Sequence, residues 1–308
     1  MEAQPRRIVV MGATGYIGGL IVPRLLEAGS FVRCLVRDRA RLQAQPWASQ
    51  VEVVEGDALQ IDTLSPAFAG MDVLYYLVHS MGAAGRADFA QQDRHAASNT
   101  ALVAQEQGIG RIIYLGGLGQ EGTGLSEHLA SRQETGRTLA AHGVPVTEFR
   151  AAVIVGAGSL SFRMVRYLSE RLPVMITPRW VSTRVQPVAE GDVVRYLVDA
   201  LDVPESAGRV LEIGGADVLT YGQMIIRYAR LRGLRRTLIP VPVLTPTLSA
   251  YWVDLVTPIP ASIAHPLIEG LKTEVVVHDP AAREIFPFEP VGYEEAVRRV
   301  LVEQPKVR

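Results

Sequence analysis

The sequence predicts an α/β protein with a doubly wound parallel sheet and a smaller, closely packed C-terminal lobe. The prediction rests on short apolar segments that alternate with helical patterns through the first half of the 308 residues. Such alternation is typical of a parallel sheet with right-handed crossovers and helices on both faces. The apolar fraction of 48% is ample for a sizeable core, and a net charge of −1 does not indicate a nucleic-acid partner.

The first predicted unit is a strand, a tight turn and a helix within residues 7–26. An apolar β-branched run ends at Gly12, further glycines follow at Gly15 and Gly18, and a helical pattern begins at Leu20. Glycines let the backbone turn sharply and approach a ligand, and the first N–H groups of a helix point at negative charge. The spacing favours pyrophosphate binding, with Thr14 supplying a hydroxyl, but a glycine turn without a ligand has the same pattern.

Further strands and helices follow in strict alternation. The predicted strands are 31–36, 51–54, 72–79, 111–115 and 146–155, and the predicted helices are 63–69, 88–107 and 125–142. Strand 72–79 is apolar almost throughout, which is typical of a strand buried on both faces. Because ligands of such sheets bind at the carboxyl ends of the strands, the residues just after each strand are the candidate site.

From residue 156 the alternation loosens. We therefore divide the chain into a nucleotide-binding domain, 1–155, and a C-terminal lobe, 156–308, that contributes a substrate pocket. The lobe is predicted to contain helices 161–172, 191–201 and 221–231 and strands 181–188 and 209–213.

Residues 237–268 are unusually apolar, with one charged residue, Asp254, and six prolines. Proline at that density breaks a long helix, so we predict no membrane span there. Two interpretations stay open: short helices packed beneath the lobe, or an exposed apolar surface for a protein or a peripheral membrane contact.

Cysteine and histidine usage limits the chemistry. The single cysteine, Cys34, rules out an internal disulfide and fits a reducing compartment, so we expect a cytoplasmic protein. The six histidines are scattered without metal-ligand spacing, and we expect no metal site.

Six motifs along the chain form a recognisable set: GATGYIGG, LVRD, EGDAL, YYLVHSMG, RVQPVAEGDVV and EIGGADVLTYGQM. With them the chain resembles the atypical branch of the short-chain dehydrogenase/reductase superfamily. This branch comprises the NmrA-like and YbjT-like NAD(P)-binding proteins and includes the nucleotide-binding accessory subunit of respiratory complex I. The resemblance implies a Rossmann-type fold and an NAD(P) cofactor, and it leaves a homodimer open.

The resemblance also implies where the cofactor lies. The pyrophosphate would lie against the glycine turn, the adenine beside the turn after the third strand, and the nicotinamide near the end of the fourth strand. The residues implied are Gly12, Thr14, Gly15, Tyr16 and Ile17 for the first, Asp57 and Ala58 for the second, and Leu77 and His79 for the third. Asp57 could equally cap a helix, and the two roles are compatible.

The end of the second strand bears on the choice of cofactor. Arg37 stands there, and the planar fork of arginine suits the 2′-phosphate of NADP, which makes NADP the expected cofactor. In the alternative, Arg37 is a solvated strand end and Asp38 binds the ribose of NAD.

The Tyr-x-x-x-Lys pair that short-chain reductases carry on the helix after the fifth strand is absent. His128 stands at the tyrosine position, Arg132 at the lysine position, and Gly116 or Gly117 at the position of the usual serine. Arg132 can still bind a ribose hydroxyl but does not release a proton. His128 or His79 could supply the proton, or the helix could merely cradle the cofactor while His79 forms a pocket wall.

Two functions follow. The first is an NADPH-dependent reductase of an apolar carbonyl, enone or quinone-like small molecule, with a substrate pocket that involves Ser80, Met81, Gly156, Phe162 and Arg184. The second is a catalytically silent NADP-binding module with a regulatory or assembly role, which the missing Tyr–Lys pair favours.

Overall fold

The structure is a computed structural model that describes residues 5–79, 89–120, 122, 124–241 and 269–303. Ser80, Met81 and residues 242–268 therefore lie outside the described residues, and the predictions for them stay predictions. Contacts divide the chain into two compact units, each assembled from segments that alternate along the sequence. The first unit is Met1–Gly116, Ser131–Phe149 and Val194–Leu211, and the second is Gly117–Ala130, Arg150–Val193 and Glu212–Arg308. The domain boundary at residue 155 stays a prediction.

The described strands are β1 (Arg7–Met11), β2 (Phe31–Val36), β3 (Glu52–Glu55), β4 (Val73–Tyr76), β5 (Arg111–Gly117), β6 (Val146–Ala151), β7 (Ile154–Val155), β8 (Val174–Thr177), β9 (Arg184–Val185), β10 (Val188–Ala189), β11 (Val210–Ile213), β12 (Leu219–Thr220) and β13 (Thr237–Pro240). The α-helices are α1 (Tyr16–Glu27), α2 (Arg39–Gln43), α3 (Ser65–Phe68), α4 (Phe89–Glu106), α5 (Glu127–Ala140), α6 (Leu160–Arg171), α7 (Glu190–Asp199), α8 (Tyr221–Leu231), and two further helices, Ala281–Ile285 and Tyr293–Glu303.

Seven strands form one parallel sheet with helices on both sides, which confirms the predicted fold class. The strand order is β3-β2-β1-β4-β5-β6-β11. Strand β1 pairs in parallel with both β2 and β4, which places Ile8 beside Val32 and Val73. The connections reverse direction between β1 and β4, and this switch point is where doubly wound sheets bind their ligands.

Several predicted elements need correction. Predicted helix 63–69 is a short 3-10 turn, Ile61–Thr63, followed by α3. Predicted strand 146–155 ends at Ala151, because the chain then leaves the large sheet and β7 pairs with β10. Predicted strand 181–188 is broken into a 3-10 turn, Arg179–Ser182, and the short strands β9 and β10, which flank Pro187. Proline lacks the N–H that a continuous strand would need there.

The start of the apolar segment 237–268 is extended. Strand β13 pairs in parallel with β8, so these residues are neither helical nor packed as a helix beneath the lobe. The alternate residues Val174, Ile176 and Ile239 are exposed, whereas Met175 is buried. Among the described residues, none of the helices has the length and apolar character needed to cross a membrane.

Each unit has its own core. The first contains Val9, Phe68 and Tyr114 together with the other buried side chains of the sheet and its helices. The second is centred on Phe162, whose ring meets that of Tyr228 edge to face at 5.9 Å. Cys34 is buried in β2, and burial raises the pKa of its thiol to about 12, so this thiol is chemically inert near neutrality.

Candidate cofactor site

The glycine turn after β1 is shaped for close approach of a ligand. Gly12 has a φ of +87°, and a Cβ there would lie 2.6 Å from the carbonyl oxygen of Leu77. The N–H of Gly15 donates to the carbonyl oxygen of Gly12 at 2.9 Å, which closes the turn. Gly15 is also the N-cap of α1 and brings no capping side chain. The first N–H groups of the helix are therefore not occupied by a capping side chain, and together with the helix dipole they can bind an anion.

A cleft of about 280 Å³ opens beside this turn, at the carboxyl ends of β1, β2 and β4. It is lined by Met11, Gly12, Thr14, Gly15, Leu35, Val36, Arg37, Arg41, Gly56, Asp57, Ala58, Leu59, Leu77, Val78, His79, Gln92 and Ala96. Eight residues that the sequence predicts for cofactor binding thus surround one cleft: Gly12, Thr14, Gly15, Arg37, Asp57, Ala58, Leu77 and His79. Tyr16 and Ile17 begin α1 next to the turn, outside the described lining.

Two arginines and one acid stand where β2 ends. Arg37 and Arg41 both line the cleft. Asp38 does not belong to the described lining, and its carboxylate accepts a hydrogen bond from the N–H of Ala40 at 2.8 Å, which caps α2. Arg41 was not predicted from the sequence; it lies within α2, the short helix that begins two residues after Arg37.

The turn after β3 closes the opposite wall. The carboxylate of Asp57 accepts a hydrogen bond from the N–H of Leu59 at 3.0 Å, which stabilises the turn. The helix-cap role is not observed, since the 3-10 turn that follows has Gln60 at its N-cap. The buried amide of Asn99 donates to the carbonyl oxygen of Ala58 at 2.9 Å and fixes this loop against α4.

At the end of β4, His79 meets a buried acid that the sequence analysis did not single out. Nδ1 of His79 lies 3.2 Å from Oδ2 of Asp93 on α4, and Asp93 is only 3% exposed. The Oγ of Ser131 lies 3.5 Å from the same carboxylate oxygen. Burial lowers the pKa of His79, the hydrogen bond with Asp93 raises it, and the charge of Arg132 lowers it further, with a net decrease.

Arg132 is engaged by the backbone and does not belong to the described lining of the cleft. Its guanidinium donates to the carbonyl oxygen of Leu115 and, at 3.4 Å, to that of Val78. It also lies over the ring of Tyr114 at 4.9 Å, and the hydroxyl of Tyr114 donates to the carbonyl oxygen of Arg132 at 2.8 Å. Arg132 therefore joins the ends of β4 and β5 in this conformation, and its predicted contact with the ribose stays a prediction.

A buried carboxylate occupies the space that a serine at Gly116, one of the two predicted serine positions on β5, would need. A Cβ at Gly116 would lie 2.8 Å from Oε1 of Glu148, and a Cβ at Gly136 on α5 would lie 2.1 Å from Oε2. Glu148 is 3% exposed, so the carboxylate has no solvent-filled space into which it could move. The packing around Gly116 therefore leaves no room for a serine side chain at that position.

The remaining predicted residues lie in the second unit. His128, predicted as a proton donor, is on α5 and is not part of the described lining of the cleft. Of the residues predicted for the substrate pocket, Phe162 is 1% exposed and belongs to a core. Arg184 is exposed and lies 3.4 Å from Glu274, and Gly156 accepts a hydrogen bond from the N–H of Ser159 at 3.2 Å. Their roles stay predictions.

The sheet, its switch point and the glycine turn define a dinucleotide-binding α/β protein. Residues 12–166 match the NAD(P)H-binding family, and the chain belongs to that family.

Relatives and solved structures agree with this assignment. The mitochondrial NADH dehydrogenase (ubiquinone) 1 alpha subcomplex subunit 9 of Arabidopsis thaliana is 26% identical over 302 residues, which cover 92% of this chain and 75% of that protein. The Citrobacter triphenylmethane reductase complexed with NADP(H) is 20% identical with a TM-score of 0.76, over 96% of this chain and 100% of that one. The Escherichia coli NADPH-dependent quinone oxidoreductase QOR2 complexed with NADPH is 18% identical with a TM-score of 0.75, over 96% and 99%.

Proposed function

We propose that this protein binds NADPH and reduces an apolar carbonyl, enone or quinone-like small molecule. The observation that carries the cofactor choice is the pair of arginines, Arg37 and Arg41, at the β2 end of the cleft, with the carboxylate of Asp38 committed to a helix cap. A 2′-phosphate carries about two negative charges near neutrality, and two guanidinium groups suit it better than a ribose hydroxyl. NAD-binding sites have an acid at the end of the second strand to bind the ribose, and the acid of this chain at that position, Asp38, is not in the described lining; Asp57, which is, lies on the turn after β3.

The rest of the cleft fits the remainder of the cofactor. The turn at Gly12 and Gly15 would hold the pyrophosphate, because the backbone there leaves a cradle that a Cβ would fill. Leu59 and Ala58, which line the cleft, would offer an apolar surface to the adenine, and His79 would lie at the nicotinamide side. When bound, the cofactor supplies a hydride, and the names of the quinone and triphenylmethane reductases with this fold support a reductase.

The second candidate is a catalytically silent NADP-binding module with a regulatory or assembly role. The observation that favours it is that Arg132 donates to the carbonyl oxygens of Leu115 and Val78, and that Glu148 fills the space beside Gly116. Neither residue reproduces the missing Tyr–Lys pair and serine. The relative from Arabidopsis, which is named as a subunit of a larger complex, supports the same alternative. In either case we propose a cytoplasmic location, in keeping with the buried thiol of Cys34.

Removing the two arginines should weaken the binding of NADPH much more than the binding of NADH. We expect Arg37→Ala to weaken NADPH binding by about 10-fold to 100-fold, and Arg37→Ala with Arg41→Ala by more, because each lost charge-assisted hydrogen bond costs about 1.5–3 kcal/mol. NADH binding should change less than about threefold. Titration of cofactor fluorescence or calorimetry measures both constants.

Arg39→Ala is the matched control. Arg39 stands between the two arginines in sequence, but its guanidinium donates to the carbonyl oxygen of Val53 at 2.5 Å and it does not belong to the described lining. The control should leave the preference for NADPH intact. Equal losses of NADPH and NADH in the Arg37→Ala protein would overturn the NADP assignment.

A panel of carbonyls, enones and quinones then distinguishes the two functions. Oxidation of NADPH by any member of the panel, followed by absorbance at the nicotinamide band, supports the reductase. Tight NADPH binding without turnover across the panel supports the silent module.

A further inference from the structure

The side chains around the cleft leave one candidate for acid–base chemistry. The titratable residues in the described lining are Arg37, Arg41, Asp57 and His79. The arginines stay charged in proteins, and Asp57 belongs to the adenine side in the proposed pose. His79 follows β4 at the nicotinamide side, and imidazole is the group whose charge changes near neutrality.

The tyrosines near the end of β4 and β5 do not supply an alternative. Tyr76 and Tyr114 are buried, and burial raises the pKa of both hydroxyls well above the ordinary value. The hydroxyl of Tyr114 already donates to the backbone of Arg132. Neither phenol is placed or activated as the family tyrosine would be.

Asp93 gives His79 a defined tautomer. A carboxylate at 3.2 Å from Nδ1 accepts the proton of that nitrogen, so the lone pair of the neutral ring is at Nε2. The Asp93 side chain is only 4% exposed while the imidazole is 23% exposed, so the acid lies behind the histidine, away from solvent. The imidazole belongs to the described lining of the cleft, whereas Asp93 does not, so of the two groups the histidine is the one placed to meet a bound molecule.

We propose that His79 is the acid–base residue of this cleft and Asp93 its positioning residue, a dyad that replaces the missing Tyr–Lys pair. The inference rests on the reductase function proposed above. In the reduction, the proton on Nε2 of the His79 imidazolium passes to the substrate oxygen while the substrate carbon gains the hydride from NADPH. The products are NADP⁺ and, from a simple carbonyl, the alcohol. An enone gives the enol, which becomes the saturated ketone. A quinone gives a hydroxydienone, which becomes the hydroquinone when the transferred hydrogen leaves its carbon as a proton and the second carbonyl oxygen takes a proton from water. The neutral imidazole regains its proton from water.

The direction of the pH dependence follows from the groups that face His79. Asp93 from α4 favours the imidazolium, whereas desolvation and the charge of Arg132 from α5 oppose it, and the pKa of His79 lies below its ordinary value. Reduction needs the imidazolium, so its rate should fall as pH rises through this lowered pKa. Asp93→Asn removes the favourable charge, so the fall should occur at a lower pH.

The tautomer of His79 can be tested by NMR spectroscopy, which does not depend on enzyme turnover. In protein labelled with ¹⁵N-histidine and loaded with NADP⁺, long-range ¹⁵N–¹H correlation spectra should show His79 as the Nδ1–H tautomer, with the signal assigned from His79→Gln. Asp93→Asn should lose that tautomer, because an amide can donate to Nδ1. A wild-type His79 found as the Nε2–H tautomer overturns the dyad.

Turnover is tested with 1,4-naphthoquinone as the probe and saturating NADPH. We expect His79→Gln to lower kcat about 100-fold or more, which is the usual range for losing an acid–base group, while the Kd for NADPH changes less than threefold. His95→Gln is the control, since His95 is an exposed histidine on the same helix as Asp93. Unchanged kcat and pH profile in His79→Gln, or NADPH binding with no turnover in the wild type, overturns the dyad. Failure of the wild type to bind NADPH overturns the proposed function itself.

Discussion

Gly18→Ala should abolish dinucleotide binding and lower the free energy of unfolding by about 2–3 kcal/mol, as overpacking of a close backbone contact does. A Cβ at Gly18 would lie 2.2 Å from the carbonyl oxygen of Gly12 and 2.8 Å from Cα of Ala13. Both atoms belong to the backbone of the glycine turn, so neither can rotate aside. The first turn of α1 would have to move away, and its N–H groups would leave the position from which they can meet a pyrophosphate.

Gly19→Ala provides a control in the same helix turn. Its Cβ would meet the nearest atom, the carbonyl oxygen of Ala13, at 4.0 Å, which is an ordinary contact. Alanine also favours a helix by about 1 kcal/mol over glycine, so this variant should be as stable as the wild type or slightly more stable. Chemical denaturation and fluorescence titration with NADPH measure the two effects. A Gly18→Ala protein that binds NADPH like the Gly19→Ala protein would contradict the role assigned to the turn.

The sheet and the cofactor end of the site were predictable because their signals are local. The apolar run before Gly12, the spacing of the glycines and Arg37 after an apolar strand all lie within short stretches of sequence. Strand β4 was equally clear, since a strand buried on both faces is apolar in nearly every position. The second unit was less predictable, because its strands β7, β9, β10 and β12 contain two residues each. Two residues show no periodicity.

Asp93 shows what the sequence could not reveal. It is 14 residues from His79 and lies on a different element, and an acid within a helix with alternating polar residues looks like part of a solvated face. Only the packing of α4 against the end of β4 turns that acid inward. Glu148 is a similar case, because a glutamate within a short strand gives no sign that two glycines from other elements enclose its carboxylate.

A serine at Gly116, one of the two predicted positions of the family serine, should destabilise the protein and add no turnover beyond that of the wild type. We expect Gly116→Ser to lower the free energy of unfolding by about 3 kcal/mol, within the range for overpacking. The new Cβ would lie 2.8 Å from Oε1 of Glu148 and 3.2 Å from Cε1 of Tyr114. The loss of stability would be smaller if the side chain of Glu148 could rotate away from the new Cβ. It cannot do so easily, because moving away from Gly116 brings its carboxylate closer to Gly136, whose backbone already lies near Oε2.

Gly136→Ala should therefore be at least as damaging as Gly116→Ser, since its Cβ would lie 2.1 Å from Oε2 and 2.6 Å from Cδ of Glu148. Gly110→Ala is the matched control, because the nearest atom to its Cβ is the carbonyl oxygen of Asp72 at 3.4 Å. Thermal unfolding should show both damaging variants about 5 °C or more below the wild type, with Gly110→Ala within a few degrees of it. If the Gly116→Ser protein unfolds at the same temperature as the wild type, the side chain of Glu148 can move aside. Packing would then not explain why the serine is missing. If the variant also reduced 1,4-naphthoquinone faster than the wild type, the catalytic role would move from the end of β4 to the end of β5.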